Sequence, residues 1–249
     1  MLIALCRRRR VRERAPSRTY LDDAAQIAAL LDAAGELDKG AAKDRRHVQR
    51  RAMLATLCFA GLRISELLAL RWRDVDLASG WLTVGEAKTH AGRRKVKIRG
   101  ALRDELLSAR ARHSDADAYV FPTRSGARLG PDNFRNRVLA AAVKRANKAL
   151  VENDGAPLPR LTPHSLRRTF CSLLYALGES PPIVMQEMGH TDPQLALRVY
   201  AQAMRRDEHQ IAQLRALVEG IDWANMGERD ASDTFRTVDA AARSAILQA

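Results

Sequence analysis

The chain has 249 residues, of which 46% are apolar, enough to bury one sizeable core. Its net charge of +13 and pI of about 10.5 predict a polyanionic partner, with nucleic acid ahead of an anionic membrane surface. No apolar run is long enough to span a membrane, and the short apolar tip precedes the basic run 7–10, the reverse of a signal peptide, so a cytoplasmic protein is predicted.

The first sixty residues predict an arm and two helices. Residues 1–18 are a basic arm, which either lies along DNA phosphates or is an upstream linker. Residues 21–34 predict an amphipathic helix with Asp22 as its N-cap, followed by a loop at 35–40. Residues 42–60 predict a longer helix, basic in its first half and apolar in its second, which ends at Gly61.

Arg63 lies in the turn that follows, ahead of a short leucine-rich helix that Ser65 is expected to cap. A charged side chain so closely flanked by core residues needs a partner. Glu66, three residues on, is the obvious candidate. The residues alone leave two interpretations open: a structural Arg63–Glu66 ion pair, or an arginine held by Glu66 for function.

A small sheet is predicted next, with strands at 74–77, 81–87 and 94–98. The last two strands are joined by a polar, glycine-containing hairpin that carries Lys88 and His90. Lys95 and Lys97 alternate along the third strand, which points them toward solvent or phosphates. His90 is interpreted as a loop residue. Residues 99–111 then predict a helix, so the chain reads as mostly helical with a small sheet.

A long helix is predicted at 131–153, after a turn-rich basic loop at 122–130. Its basic residues fall largely on one side, which suits either a helix laid against a DNA groove or a solvated face. Two cysteines, Cys58 and Cys171, lie in apolar helical runs and are predicted to be buried free thiols.

The stretch 161–200 carries the densest set of candidate functional residues. Pro163 suits the first turn of a helix, and apolar residues recur at helical spacing until Gly178. His164 and Arg167 are three residues apart and therefore share a face near the helix start. An imidazole and a guanidinium beside a helix N-terminus suit a phosphate. A helix at 201–217 and a small alanine-rich helix at 238–247 follow.

This arrangement resembles the tyrosine recombinase, or phage integrase, family. The resemblance rests on H-x-x-R at 164–167, Gly-His at 189–190 and Tyr200 ten residues later, together with the upstream Arg63 and the hairpin lysine. Most members have nine residues where this chain has ten, a difference assigned here to the turn at 192–195. The resemblance covers roughly 19–217. It implies an α+β, mostly helical catalytic domain with a three-stranded antiparallel sheet, preceded by the arm 1–18 and followed by a tail at 218–249.

The resemblance also implies a role for each residue of the pattern. Arg63 and Arg167 become the catalytic arginines, with Glu66 as a buttress. Lys88 reaches into the minor groove and protonates the leaving oxygen, and His190 hydrogen-bonds the scissile phosphate. Tyr200 is the nucleophile. Since a tyrosine has an ordinary pKa near 10, it needs a base or a positive field, which His164 and the arginines supply.

The sequence shows no carboxylate cluster, no Cys/His metal spacing and no Walker-type glycine loop, so phosphoryl transfer is expected to need no metal or other cofactor.

The leading hypothesis is a site-specific recombinase that acts on double-stranded DNA as a homotetramer, through a 3′-phosphotyrosyl intermediate and without ATP. A DNA-binding remnant that cannot recombine and a type IB topoisomerase-like nicking-closing enzyme are the alternatives. A structural role for Tyr200, as an ordinary core or helix-end tyrosine, also stays open.

Overall fold

The computed structural model describes residues 20–42, 48–85, 94–111, 115–189 and 193–221. Within them the chain is mostly helical with one three-stranded antiparallel sheet, which confirms the predicted fold class. The helices are α1 (Ala24–Lys39), α2 (Arg50–Ala60), α3 (Ile64–Ala69), α4 (Gly100–Arg110), α5 (Pro131–Asn133), α6 (Ala140–Glu152), α7 (Pro163–Ala176), α8 (Pro181–Met188), α9 (Pro193–Ala203) and α10 (Glu208–Glu219), and the strands are β1 (Val75–Asp76), β2 (Trp81–Val84) and β3 (Arg94–Lys97).

Helices α2 and α7 pack against each other at the centre of the core. Every residue of α2 from 52 to 60 is buried, and α7 is buried almost throughout from residue 165 onward. Helices α1 and α4 cover α2, while α9 and α10 cover α7. Cys58 and Cys171 lie in these two central helices as buried free thiols, as the sequence predicts.

The sheet has the strand order β1–β2–β3, and both pairs are antiparallel. Leu82 pairs with Val96, and Val84 pairs with Arg94. These four residues are buried, whereas Lys95 and Lys97 alternate to the exposed face as predicted. The inward face of β3 therefore begins with an arginine, whose surroundings are part of the site described below.

Gly61 makes the tight turn between α2 and α3. Its φ of +58° is in the left-handed region, which ends α2 and sends the chain directly to Arg63. A Cβ atom at this position would lie 2.1 Å from Cδ1 of Phe170 on α7. Glycine is therefore required both by the backbone and by the close approach of α7.

Several predicted helix boundaries are wrong, each for a local reason. Helix α1 begins after Asp23 and not Asp22, because the carboxylate of Asp23 accepts the N–H of Ala25. It also continues to residue 39, through the segment predicted as a loop. Helix α2 begins at Arg50, so the described residues 48–49 are not helical.

The predicted helix at 131–153 forms, but residues 134–139 within it are wound as a π-helix. The single helix predicted at 201–217 is wrong. Helix α9 ends at residue 203, and Asp207 starts α10 by accepting the N–H of Gln210. The turn predicted at 192–195 is wrong for residues 193–195, where Pro193 opens α9. Ser65 lies inside α3, whose N-cap is Arg63.

None of the helices in the described ranges is long and apolar enough to cross a membrane. The arm 1–18, the hairpin with Lys88 and His90, the residue His190 and the predicted helix at 238–247 lie outside those ranges.

Candidate active site

Arg63 stands at the N-cap of α3, directly after the left-handed turn at Gly61. Its Nη1 donates to Oε1 of Glu66 at 2.7 Å, and its backbone N–H donates to Oε2 at 2.7 Å. The carboxylate is almost fully buried, but 42% of the Arg63 side chain stays exposed. The predicted partner is thus in contact with Arg63, and the guanidinium keeps an open side toward solvent.

Glu66 also contacts Arg94, a residue that the sequence interpretation missed. Arg94 is the first residue of β3, and its side chain is only 4% exposed. Its two Nη atoms donate to the two carboxylate oxygens of Glu66 at 3.2 and 3.0 Å. Burial alone would raise the pKa of Glu66, but the hydrogen bonds and charge of Arg94, followed by the hydrogen bonds of Arg63, lower it to about 2.

A signal for Arg94 was present in the sequence. The alternation that points Lys95 and Lys97 outward points residue 94 inward, beside Val96. An arginine on the apolar face of a strand requires a buried partner. The identity of that partner does not follow from the pattern, because Glu66 lies 28 residues earlier in another element.

Arg167 lies in the second turn of α7 and is 1% exposed. The start of α7 is fixed by Pro163 in its first turn and by Thr162, whose side chain accepts the N–H of Ser165. The guanidinium donates to the backbone carbonyls of Gly61 and Met188. Burial, and then the charges of Arg94 and Arg63, lower the pKa of Arg167 to about 9.

The C-terminus of α8 brings the three arginines together. Nε of Arg94 donates to the carbonyl of Glu187 at 2.6 Å, and Nη2 of Arg63 donates to that of Gly189 at 3.0 Å. The carbonyl between them, that of Met188, accepts from Arg167. Three consecutive carbonyls at the negative end of a helix are thus each bound by one arginine, which satisfies groups that the helix itself cannot pair.

His164 lies in the first turn of α7 and is exposed at the edge of this cluster. Partial burial, and then the charges of Arg168, Arg167 and Arg63, lower the pKa of His164. The neutral imidazole is therefore favoured at pH 7, in which form one ring nitrogen can accept a proton. The predicted proximity of His164 to Arg167 is present, although Arg167 itself points into the core.

Tyr200 lies on α9 and is half-buried against α7. Its ring meets that of Tyr175 edge to face, with centroids 5.1 Å apart at an angle of 67°. Burial, with Cys171 and Tyr200 nearby, raises the pKa of Tyr175 to about 12. Arg167, Cys171 and Tyr175 follow one another at four-residue spacing, so one face of α7 runs from the arginine cluster to Tyr200.

The structure thus brings Arg63, Glu66, Arg167 and His164 into one region and places Tyr200 on α9, against the part of α7 that carries Tyr175. Lys88 and His190 lie outside the described residues, although Gly189, which precedes His190, is bound by Arg63. Among the described residues, no group of three or more His, Cys, Asp or Glu side chains could hold a metal ion. The charge gathered at this site comes from arginines.

The chain matches the model of a known protein family. The model of the phage integrase family matches residues 23–206, which is most of the chain and includes every residue of the arrangement described above.

Curated relatives resemble about two thirds of the chain. Tyrosine recombinase XerC of Azotobacter vinelandii is 35% identical over 173 residues, which are 68% of this chain and 52% of the relative. Tyrosine recombinase XerC of Pseudomonas fluorescens is 34% identical over 164 residues, 65% of this chain and 51% of the relative. The chain thus spans about half the length of the curated relatives it matches.

Solved structures share the fold. The XerA recombinase superposes with a TM-score of 0.57 at 20% identity, covering 88% of this chain and 67% of XerA. The XerH site-specific recombinase bound to a palindromic difH substrate superposes with a TM-score of 0.53 at 19% identity, covering 80% of this chain and 53% of XerH. At such identities the likeness concerns the fold alone.

Proposed function

We propose that this chain, which belongs to the phage integrase family, cleaves and rejoins double-stranded DNA through a covalent 3′-phosphotyrosyl intermediate. The observation that carries the proposal is the pair Arg63 and Arg167, whose guanidinium groups converge on one region beside the start of α7. The curated relatives described above are tyrosine recombinases. Residues 19–217 are proposed as the catalytic domain.

The two arginines are proposed to bind the non-bridging oxygens of the scissile phosphate. Arg63 offers an exposed guanidinium that is already oriented by Glu66. Arg167 is buried, and its charge is disfavoured by that burial and by its arginine neighbours. An anion at this site would offset that unfavourable charge. Preorganised cations then stabilise the charge that develops on the phosphoryl oxygens, the task that metal ions perform in many other phosphoryl-transfer enzymes.

Tyr200 is proposed as the nucleophile. Its phenolic oxygen attacks phosphorus and forms the Tyr–O–P bond, while the bond from phosphorus to the 5′-oxygen breaks. The phenolic proton passes to a base, for which His164 is proposed, and Lys88 supplies a proton to the departing 5′-oxygen. His190 donates a hydrogen bond to the phosphate. A 5′-hydroxyl of a partner duplex reverses the step, so no ATP is consumed.

DNA is the proposed partner, and a homotetramer on two DNA sites is the proposed active assembly. Two observations support DNA: the net charge of +13, and the DNA-bound state of the XerH structure that shares this fold. Electrostatic binding of this kind predicts affinity for duplex DNA that falls steeply with salt.

The test is covalent capture on a nicked suicide duplex, from which the 5′-hydroxyl fragment is lost after cleavage. We expect a denaturation-resistant protein–DNA adduct that forms in EDTA and leaves a free 5′-hydroxyl. Because the chain spans about half of its curated relatives, the assay includes a fusion in which the N-terminal part of a XerC relative precedes Thr19. If that fusion makes no adduct on a site that the donor of the N-terminal part cleaves, the proposed activity is wrong and the DNA-binding remnant is the better account.

A further inference from the structure

We propose that Arg94 is a positioning residue, which fixes the carboxylate of Glu66 and through it the guanidinium of Arg63. The inference rests on the proposed function, since it concerns how the site holds one of its phosphate-binding arginines. Arg94 does not reach the open side of the site. It contacts Glu66 from the core side, and its side chain is 4% exposed.

The hydrogen bonds of Glu66 show why its position depends on two arginines. Oε1 accepts from Nη1 of Arg63 at 2.7 Å and from Nη1 of Arg94 at 3.2 Å. Oε2 accepts from the backbone N–H of Arg63 at 2.7 Å and from Nη2 of Arg94 at 3.0 Å. The planar guanidinium of Arg94 donates to both oxygens, and this bidentate contact on the buried side fixes the plane of the carboxylate.

Arg94 also holds a second element of the site. Its Nε donates to the carbonyl of Glu187 at 2.6 Å, at the end of α8. The next two carbonyls of α8 accept from Arg167 and Arg63. One side chain of β3 therefore ties α3 to α8 and sets the relative positions of the two phosphate-binding arginines.

Removal of Arg94 should change the chemistry of Glu66 as well as its geometry. The carboxylate would remain buried but lose its most extensive partner, and burial favours the protonated form. A protonated Glu66 carries no negative charge and accepts fewer hydrogen bonds, so its interaction with the guanidinium of Arg63 weakens. The charged groups that face or lie near this carboxylate are Arg63 on α3, Arg94 on β3, Arg167 on α7 and Asp74, which lines a small cavity with it.

The chain offers a matched control in Arg99. This arginine, at the N-cap of α4 two residues after β3, is also buried and also binds α8, through both carboxylate oxygens of Glu187 at 3.1 and 3.2 Å. Its hydrogen bonds run to Glu187 and to the carbonyl of Lys97 in place of Glu66. Arg99→Met thus removes a buried ion pair of the same kind without touching the link to Arg63.

The first experiment measures adduct formation under single-turnover conditions for Arg94→Met, Arg94→Lys and Arg99→Met in the full chain or its fusion. Loss of a residue that orients a metal ligand typically costs about 10- to 100-fold in activity, and we take the same range for a residue that orients a phosphate-binding arginine. We expect that loss for Arg94→Met with DNA affinity kept, partial rescue by Arg94→Lys, and less than about threefold loss for Arg99→Met. Equal losses for the Arg94→Met and Arg99→Met variants, or a normal rate for Arg94→Met, would overturn the proposal.

The pH profile of cleavage separates positioning from mere stabilisation. Arg94→Met should acquire an acid limb at higher pH than the wild type, as Glu66 takes up a proton, and Glu66→Gln in the same background should remove that limb. A structural role alone would lower stability and leave the profile unchanged.

A second readout does not depend on catalysis. The carboxyl carbon of Glu66, followed by NMR in the complete chain, should titrate near 2 in the wild type and at higher pH in Arg94→Met. If neither the wild-type chain nor its fusion forms an adduct, the proposed function fails, but this titration still tests the link from Arg94 to Glu66. An unchanged midpoint would overturn the proposal whatever the cleavage assay shows.

Discussion

The two phosphate-binding arginines proposed here occupy opposite surroundings. Arg63 is 42% exposed in its side chain, sits at a helix N-cap and is paired with a carboxylate. Arg167 is 1% exposed, sits inside the central helix and donates to backbone carbonyls of Gly61 and Met188. The pKa of Arg167 is lowered to about 9 by burial and by neighbouring arginines.

The two arginines thus represent two ways in which a protein can position a cation to bind phosphate. The charge of Arg63 is balanced by Glu66, so its role is set by orientation. The charge of Arg167 is stabilised by the dipoles of backbone carbonyls in a buried environment, where the binding of an anion would be strongly favoured. The comparison predicts that loss of Arg167 harms both the fold and the chemistry, whereas loss of Arg63 harms the chemistry alone.

The largest effect is expected for Arg167→Ala. It leaves two buried carbonyl acceptors without their donor, and each unsatisfied buried group costs about 1–3 kcal/mol. We expect the free energy of unfolding to fall by about 2–6 kcal/mol and the adduct to be lost. Denaturant unfolding measures the first, and the suicide duplex measures the second.

The control for that variant is Arg135→Ala, which removes an exposed arginine paired with Asp132. Its free energy of unfolding should change by no more than about 0.5 kcal/mol. A similar result for Arg167→Ala would mean that its buried hydrogen bonds do not support the fold.

The next effect is that of Arg63→Ala. Glu66 keeps its bidentate partner Arg94, so the free energy of unfolding should change by less than about 1 kcal/mol. Cleavage should fall by about 10²–10³-fold, the cost of one lost oxyanion donor. If Arg63→Ala cleaved DNA at the wild-type rate and unfolded normally, Arg63 would have no role in cleavage. If it lost as much stability as Arg167→Ala, the proposed difference between the two arginines would be wrong.

Much of this site follows from local sequence. The apolar spacing of α7, its proline start and the pair His164 and Arg167 predict the helix, its ends and a shared face. The three-residue separation of Arg63 and Glu66 predicts their contact, which the structure contains. The alternation of β3 predicts exposed lysines. Each of these features depends on neighbours within about one helical turn or strand pair.

The rest depends on contacts between distant segments. The partner of Arg94 is 28 residues away, and the carbonyls of Met188 and Gly189, which accept from Arg167 and Arg63, lie at the C-terminal end of α8. Backbone acceptors leave no mark in side-chain patterns. The split between α9 and α10 does not follow from apolar spacing, because Ile211 comes seven residues after Met204 and so keeps a helical period across the polar residues 205–210. The capping carboxylate of Asp207 decides where α10 begins.

A smaller effect is expected from pH. The pKa of Glu66 is about 2 in the folded chain and 4.5 as its ordinary value. A depressed pKa contributes stability that is present above 4.5 and is lost as the pH falls toward 2, by at most about 3 kcal/mol. Unfolding measured for wild type and Glu66→Gln across this range should show the two free energies converging at low pH. Parallel curves would contradict the ion pair.

The smallest effect is that of inorganic phosphate on thermal stability. A ligand at ten times its dissociation constant stabilises a protein by about 1.4 kcal/mol. We expect phosphate to raise the Tm of the wild type and to have less effect on Arg63→Gln, which keeps most of the fold but loses the exposed cation. An equal rise in both proteins would place the anion elsewhere.

The central claim is that Tyr200 attacks DNA beside these arginines, and the most direct test is to map the covalent adduct by mass spectrometry. Tyr175→Phe is the matched control, because its ring packs against that of Tyr200 and its own hydroxyl is buried with a pKa of about 12. We predict a phosphotyrosyl peptide that contains Tyr200, its loss in Tyr200→Phe with DNA binding and Tm preserved, and its persistence in Tyr175→Phe. An adduct on any other residue would contradict the account.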